Sequence, residues 1–234
     1  MNVLKFHING NPNDVLEFEV KTVVNAGYTG RDQAAVQAHI DELKEKGIPA
    51  PEETPVYFPV FQEGVLQKEA FDVLHEDDNT GEAEYALLYA NGEIFVAAGN
   101  DHTDRKLEEV DIPKAKQVYP NFISKDVWRL ADVKDHWDQI VIRSWIRQDG
   151  SKVLFQEGNL SALMGPEELM ERMAEVIKVE STDGLMVFSG TIASIFSIDY
   201  SPYFEVELDD TVTGRKLNLF TEFSPVTSWF RKKV

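Results

Sequence analysis

Residues 82–105 read EAEYALLYANGEIFVAAGNDHTDR, and the reading of this stretch decides the fold. Two strand-like apolar runs, EYALLYA and EIFVAAG, stand on either side of Asn91-Gly92, a turn signal that joins them as a hairpin. The same alternation of apolar runs and turn residues extends outward in both directions. Upstream lie VYFPVF and AFDVLH. Downstream, QIVIRSWIRQDG turns at Asp149-Gly150 into KVLFQEG, and the final third holds GLMVFSGTIASIF, YFEVEL and RKLNLF, all read as strands. At the start of the chain Leu4, Phe6 and Ile8 alternate with polar neighbours, the pattern breaks at NGNPND and it resumes at VLEFEV, which predicts a β-hairpin within residues 1–24. Helical spacing is rarer. Residues 31–46 place Val36, Ile40 and Leu43 on one face, with Asp32 as N-cap and Gly47 and Pro49 as stop signals; a shorter helix is expected from Gly165 or Pro166 through Glu175. IPKAKQVYP, at residues 112–120, reads as a loop. No linker rich in Ser, Gly and Pro divides the chain, so the expectation is one domain spanning residues 1–234, of mainly β or α+β class: a mixed β structure decorated by a few helices, with the N-terminal hairpin packed on it.

Composition narrows the partners. The chain has 234 residues, 43% hydrophobic and 11% aromatic, enough to bury a substantial core. Its 41 acidic against 23 basic residues leave a formal charge of −18, which repels nucleic-acid backbones and anionic membrane surfaces. The N-terminal apolar run is too short for a signal segment, and nowhere is there a run of about 18 apolar residues, so a cytoplasmic protein is expected. Without cysteine there are no disulfides, no thiolate nucleophile and no Cys-based zinc site. A metal would be held by carboxylate or imidazole, which points to a hard divalent ion.

Several residues could carry chemistry. Glu82 and Glu84 are two apart in a strand-like run, so the period of two puts both carboxylates on one face. If that face is inward, repulsion and desolvation are costly unless a cation is shared, and hard ions take oxygen ligands; if outward, the pair is a solvated strand edge. Asp101 belongs to the cluster Asp101, His102, Asp104 and Arg105 at a strand-to-loop transition. It could complete an all-oxygen set with open positions, or else simply end the strand in an Asx turn. His39 and Glu42 fall at i and i+3 of the first predicted helix, where a carboxylate can orient an imidazole as a general base; His39 also lies in the apolar stripe and could be a packing histidine. Lys116 beside a metal could neutralise a developing oxyanion; elsewhere it is a surface charge. Residues 189–194, SGTIAS, could offer backbone N–H groups and the Thr191 hydroxyl to a ligand carboxylate, or form only a tight turn.

Taken in order, these motifs resemble the fumarylacetoacetate hydrolase superfamily from about Asn25 to Glu207. Gly30-Arg31 stand before His39-Ile40-Asp41-Glu42, as that superfamily's Gly-Arg segment stands before its His-x-x-Glu helix. Glu82-Ala83-Glu84 and Asp101-His102-Thr103-Asp104-Arg105 are similar to its Glu-x-Glu and Asp-x-Thr-x-Arg metal motifs, Ala115-Lys116 to its lysine pair, and Gly190-Thr191 to its closing turn. Three features depart: a hairpin replaces the helix between Glu-x-Glu and Asp, Lys106 stands where an acid is usual, and Ile192 stands where Pro is usual. The resemblance implies a β-roll-like fold with helical decoration, a homodimer, and Mg²⁺ or Mn²⁺ held by Glu82, Glu84 and Asp101, with Ca²⁺ able to take their place in crystals. It implies His39, Glu42 and Lys116 as catalytic groups and substrate contacts from Arg31, His102, Arg105 and Thr191. The expected reaction is hydrolytic C–C cleavage of an acylpyruvate-like or other 2-oxo or 1,3-dicarbonyl acid. Decarboxylation, dehydration or isomerisation at the same site is the alternative, and a non-catalytic metal- or ligand-binding protein is the third reading.

Overall fold

In a computed structural model, which describes residues 2–45, 50–74, 78–178, 181–198 and 200–231 apart from the side chains of His39, Glu42, Leu43 and Ser228, the chain opens with β1 (Asn2–Ile8), β2 (Val15–Val20), β3 (Thr22–Gly27) and helix α1 (Gln33–Glu45). Four short strands follow: β4 (Val56–Val60), β5 (Val65–Leu66), β6 (Ala70–Val73) and β7 (Asn79–Thr80). They lead into the long pair β8 (Ala83–Ala90) and β9 (Glu93–Asp101). Next come β10 (Thr103–Asp104), helices α2 (Arg105–Glu108) and α3 (Ile112–Val118), and strands β11 (Asn121–Ile123) and β12 (Asp126–Arg129). The rest comprises β13 (Val141–Gln148), β14 (Ser151–Asn159), α4 (Pro166–Val176), β15 (Leu185–Phe188), β16 (Tyr203–Asp210) and β17 (Arg215–Pro225).

One sheet runs β2-β1-β12-β9-β8-β15-β3-β4, with β11 pairing the far end of β9 and also β5; a second runs β14-β13-β16-β17-β6; β7 and β10 form a small ribbon. The pairs β1–β12, β3–β15, β5–β11 and β6–β17 are parallel, and the other ladders are antiparallel. This is the mostly β, mixed α+β architecture expected from the sequence, and the N-terminal hairpin joins the large sheet through β12.

The centre of the large sheet is β8–β9. Asn91 and Gly92 adopt φ of 55° and 77°, the left-handed pair that a two-residue hairpin turn requires. Every residue of β8 is buried, because each of its faces has a core of its own. Tyr85, Leu87 and Tyr89 pack with Val206, Leu208 and Leu217 of the second sheet, while Ala86 and Leu88 join Phe6, Phe18 and Phe188 on the opposite face. Each fully buried Leu or Phe contributes about 1.5–3 kcal/mol, so this double burial fixes the ladder firmly.

Two local readings are corrected. Residues 112–118, expected as loop, are helix α3: the Asp111 side chain accepts the Lys114 N–H and Pro113 sits in the first turn, where a missing N–H costs nothing. Of GLMVFSGTIASIF only Leu185–Phe188 is strand, since Gly190 leaves it at φ 81°. The α1 cap is as expected, with Asp32 Oδ1 accepting the N–H groups of Ala34 and Ala35. No described helix is long and apolar enough to cross a membrane.

Gly99 of β9 faces Phe188, and a Cβ there would lie 2.7 Å from the ring. Gly99→Ala should therefore destabilise the protein by about 1–3 kcal/mol, as overpacking does, with Phe188→Leu relieving part of the loss in a double-mutant cycle. Urea midpoints of the four variants measure it; an unshifted midpoint for Gly99→Ala contradicts the tight contact.

Candidate metal centre

The two-residue turn determines which side chains meet at the open end of the hairpin. Ala83 pairs with Asn100 and Glu84 with Gly99. One step further, Glu82 N donates to Asp101 O at 3.0 Å and Asp101 N to Glu82 O at 3.1 Å. Glu82 and Asp101 are thus cross-strand partners, and Glu84 projects from the same face two residues on. One ligand oxygen from each of the three lies within 4.8 Å of the others. Glu84 and Asp101 are 1% exposed.

Their neighbours come from the elements that follow β9. Lys116 of α3, itself buried, places Nζ 2.7 Å from Glu82 Oε2, 2.7 Å from Asp101 Oδ2 and 3.6 Å from Glu108 Oε1, and donates to Thr103 Oγ1 at 3.0 Å. Arg105 opens α2. Its Nη1 donates at 2.9 Å to both Glu82 Oε1 and Glu108 Oε2, and its Nε at 2.6 Å to Thr80 Oγ1. Glu84 Oε2 accepts the Gly190 N–H at 2.9 Å. Asn25, which exchanges amide hydrogen bonds with Asn121, also bonds Asp101.

These surroundings set the charges. Burial disfavours ionised Glu82, but Arg105 and Lys116 outweigh it and hold that carboxyl down at about 2. Burial, reinforced by the negative charges of Asp101 and Glu82, pushes Glu84 well above the usual carboxylate range. Asp101 is raised by burial despite Lys116. Burial works against the Lys116 ammonium, yet Asp101 and Glu82 raise its pKa, so it remains a cation.

The donor set fits a hard divalent ion. Four carboxylates, Glu82, Glu84, Asp101 and Glu108, meet two cations, Lys116 and Arg105; with all four ionised two negative charges stand uncompensated, and without an ion burial answers part of that excess by favouring a proton on Glu84. A divalent ion with oxygen ligands supplies that charge. Glu82, Glu84, Arg105 and Lys116 line a cavity of about 1450 Å³ that extends past Phe58, Phe155 and Thr191.

The remaining candidates are placed as follows. Arg105 is tied to carboxylates rather than turned to open space. Arg31 lines the cavity but forks onto Asp138 at 2.9 and 2.7 Å. Thr191 lines it too, its hydroxyl donating to Ala83 O and accepting from Gln156 Nε2, both at 2.8 Å. His102 is not brought there. Its ring stacks on Phe223 with centroids 4.2 Å apart, Nε2 lies 2.9 Å from Asn79 Oδ1, and burial, with Arg105 next, lowers its pKa to about 3, so it is a neutral core histidine. Strand alternation explains it, since neighbours of Asp101 along the strand face the other way. The side chains of His39 and Glu42 lie outside the described residues. The sequence reading missed Glu108, Thr103, Asn25 and Gln156. Glu108 stands one helical turn after Arg105, a spacing that could have signalled it.

Lys116→Met should leave Glu82 and Asp101 facing each other without their shared cation and destabilise metal-free protein by about 3–5 kcal/mol. Urea unfolding in chelator measures this, and millimolar Mg²⁺ should restore part of it; a loss below about 1 kcal/mol contradicts the bridging role.

No curated protein matches the chain in sequence. A family model described as protein of unknown function (DUF2848) matches residues 26–220. Among solved structures, 2-keto-3-deoxyarabinonate dehydratase is similar with a TM-score of 0.64 at 15% identity, covering 91% of this chain and 78% of that one. The dehydratase complexed with magnesium and 2,5-dioxopentanoate gives 0.59 at 17% identity, over 91% and 78% of the two chains. The 4-oxalocrotonate decarboxylase of Pseudomonas putida G7, complexed with calcium and acetate, gives 0.58 at 16% identity, over 87% and 78%. These are members of the fumarylacetoacetate hydrolase superfamily, and the chain shares their fold.

Proposed function

The chain belongs to the DUF2848 family, and from that premise we propose that it is a divalent-metal-dependent enzyme acting on small 2-oxo acids. The observation that carries this is the largely buried Glu82, Glu84 and Asp101 cluster, whose two glutamates line a large cavity. The solved complexes of similar fold support it: one dehydratase holds magnesium with 2,5-dioxopentanoate and one decarboxylase holds calcium with acetate.

Glu82, Glu84 and Asp101 would hold Mg²⁺ or Mn²⁺, which when bound acts as a Lewis acid on the 2-oxo group it faces. The protein's own groups supply the rest. Lys116, kept protonated by its acidic neighbours, adds a fixed positive charge where an oxyanion develops. Helix α1 contributes Ala35 and Val36 to the cavity wall, and helical spacing sets positions 39 and 42 within a turn or two of them. We assign His39, oriented by Glu42, the role of taking a proton from the attacking water. The reaction so assigned is hydrolytic C–C cleavage of an acylpyruvate-like acid: water adds to the outer carbonyl as His39 takes its proton, and the adjacent C–C bond breaks with its electron pair moving into the 2-oxo acid fragment. The proton from His39 is returned to that fragment's carbon, releasing a carboxylic acid and the shortened 2-oxo acid. Dehydration or decarboxylation of a 2-oxo acid is the second reading, favoured by the activities of the similar structures.

Chelation should lower Tm and abolish turnover, because an ion bound only by the native state stabilises it; Glu82→Gln and Asp101→Asn should remove the metal-induced rise in Tm. His39→Ala should cost about 10²- to 10⁴-fold in kcat while that rise persists. Unchanged Tm on chelation contradicts the metal site, and loss of the metal response in His39→Ala makes His39 a ligand instead of a base. We further propose a homodimer, for which the exposed Trp229 and Phe230 offer interface anchors; light scattering that gives the monomer mass at micromolar concentration removes this assignment.

A further inference from the structure

The walls of the cavity narrow the substrate class, on the premise just given that it takes a 2-oxo acid. Among the described residues three basic side chains line it, Arg31, Arg105 and Lys116, and each is already engaged. Arg31 is forked onto Asp138, Arg105 bridges Glu82 and Glu108, and Lys116 bridges Glu82 and Asp101. Acids are in excess, with Asp32, Glu108 and Glu109 joining Glu82 and Glu84 on the lining. Away from the carboxylates the wall combines the apolar side chains of Val36, Phe58, Ile112, Phe155, Ile192 and Ile198 with neutral hydroxyl and amide groups such as Ser161, Ser194 and Gln156.

We propose that the substrate is a monocarboxylate 2-oxo acid with an uncharged, apolar tail, and that dicarboxylate acids are disfavoured. The 2-oxo carboxylate is the one negative group this cavity could ligate directly, at the ion that Glu82, Glu84 and Asp101 would hold. A second carboxylate at the far end of the molecule would meet acids, apolar side chains and neutral hydroxyls, none of which balances its charge. Arg31 is held on the exposed Asp138, and turning it toward a far carboxylate would exchange that pair for one beside Asp32, which also lines the cavity. Enclosing an unpaired charge is costly. An alkyl or aryl tail against Phe58, Phe155 and Ile198 instead gains in proportion to the apolar area covered. Discrimination of this kind comes from the repulsive contact as much as from the attractive one.

The test is calorimetric titration of the Mg²⁺-loaded protein with 2-oxohexanoate, 2-oxooctanoate and 2-oxoadipate under one set of conditions. 2-Oxooctanoate should bind most tightly, and 2-oxoadipate, equal in carbon number to 2-oxohexanoate, should bind at least about tenfold more weakly than it. Ile198→Arg, which adds a cation to the lining, should narrow that gap to about threefold or less; an unchanged ratio in this variant counts against the proposal. Equal or tighter binding of 2-oxoadipate by the wild-type protein overturns the proposal and leaves the oxo-acid reading standing. If none of the three acids binds a protein that still takes up Mg²⁺, both fall.

Discussion

Two carboxylates facing each other across a β-ladder repel, and much of the structure around Glu82 and Asp101 answers that repulsion. The ladder cannot slip to relieve it, because the turn at Asn91-Gly92 and the double burial of β8 fix the register. Relief therefore comes from outside the hairpin. The β7–β10 ribbon carries Thr80 and Thr103 against Arg105 and Lys116, α2 turns Arg105 back onto Glu82, and the Asp111 cap starts the helix that brings Lys116 between Glu82 and Asp101. Carboxylates still outnumber cations in this cluster, four to two, and burial meets part of the imbalance by favouring a proton on Glu84.

How much of this could be read from the sequence depended on whether the relevant signal was local. The β8–β9 hairpin, its turn and the shared face of Glu82 and Glu84 follow from a period of two and one dipeptide, and the structure has them. The Asp32 cap was equally local. Failures had different causes. Pro113 and two lysines disguised α3 as loop, although Asp111 two residues before the proline carried the N-cap signal. His102 was grouped with Asp101 because they are adjacent, yet adjacency in a strand is what sends them to opposite faces, and His102 ends up stacked on Phe223. Asn25 and Gln156 reach the site through pairings between distant parts of the chain, Asn25 with Asn121 and Gln156 with Ala83 and Thr191. No spacing rule encodes those. The pairing of Arg31 with Asp138 is of the same kind.

The position of the cluster at the end of the apolar core gives its carboxylates unequal roles. Glu84 continues the face of β8 that carries Ala86 and Leu88 into the core, and so is shut away from water, whereas Glu82, one pleat nearer the rim, has a side chain 17% exposed and two cations beside it. Residues of like chemistry two apart are thereby held in different states, Glu82 ionised and Glu84 pushed toward its neutral form. Charge on Glu84 is favoured by the nearby Lys116 ammonium and by the Gly190 N–H, which donates to it directly. Gly190 is held where a side chain would strike Ala26 O at 2.9 Å and Thr29 Oγ1 at 2.6 Å, and its left-handed φ favours glycine. Thr29 in turn donates to Ser189 O, and Gln156 grips Thr191 and Ile192. The loop that steadies the buried Glu84 is therefore the loop whose next two residues, Thr191 and Ile192, line the cavity. The placing of Glu84 and the shape of the cavity wall are thereby joined through the Gly190 N–H.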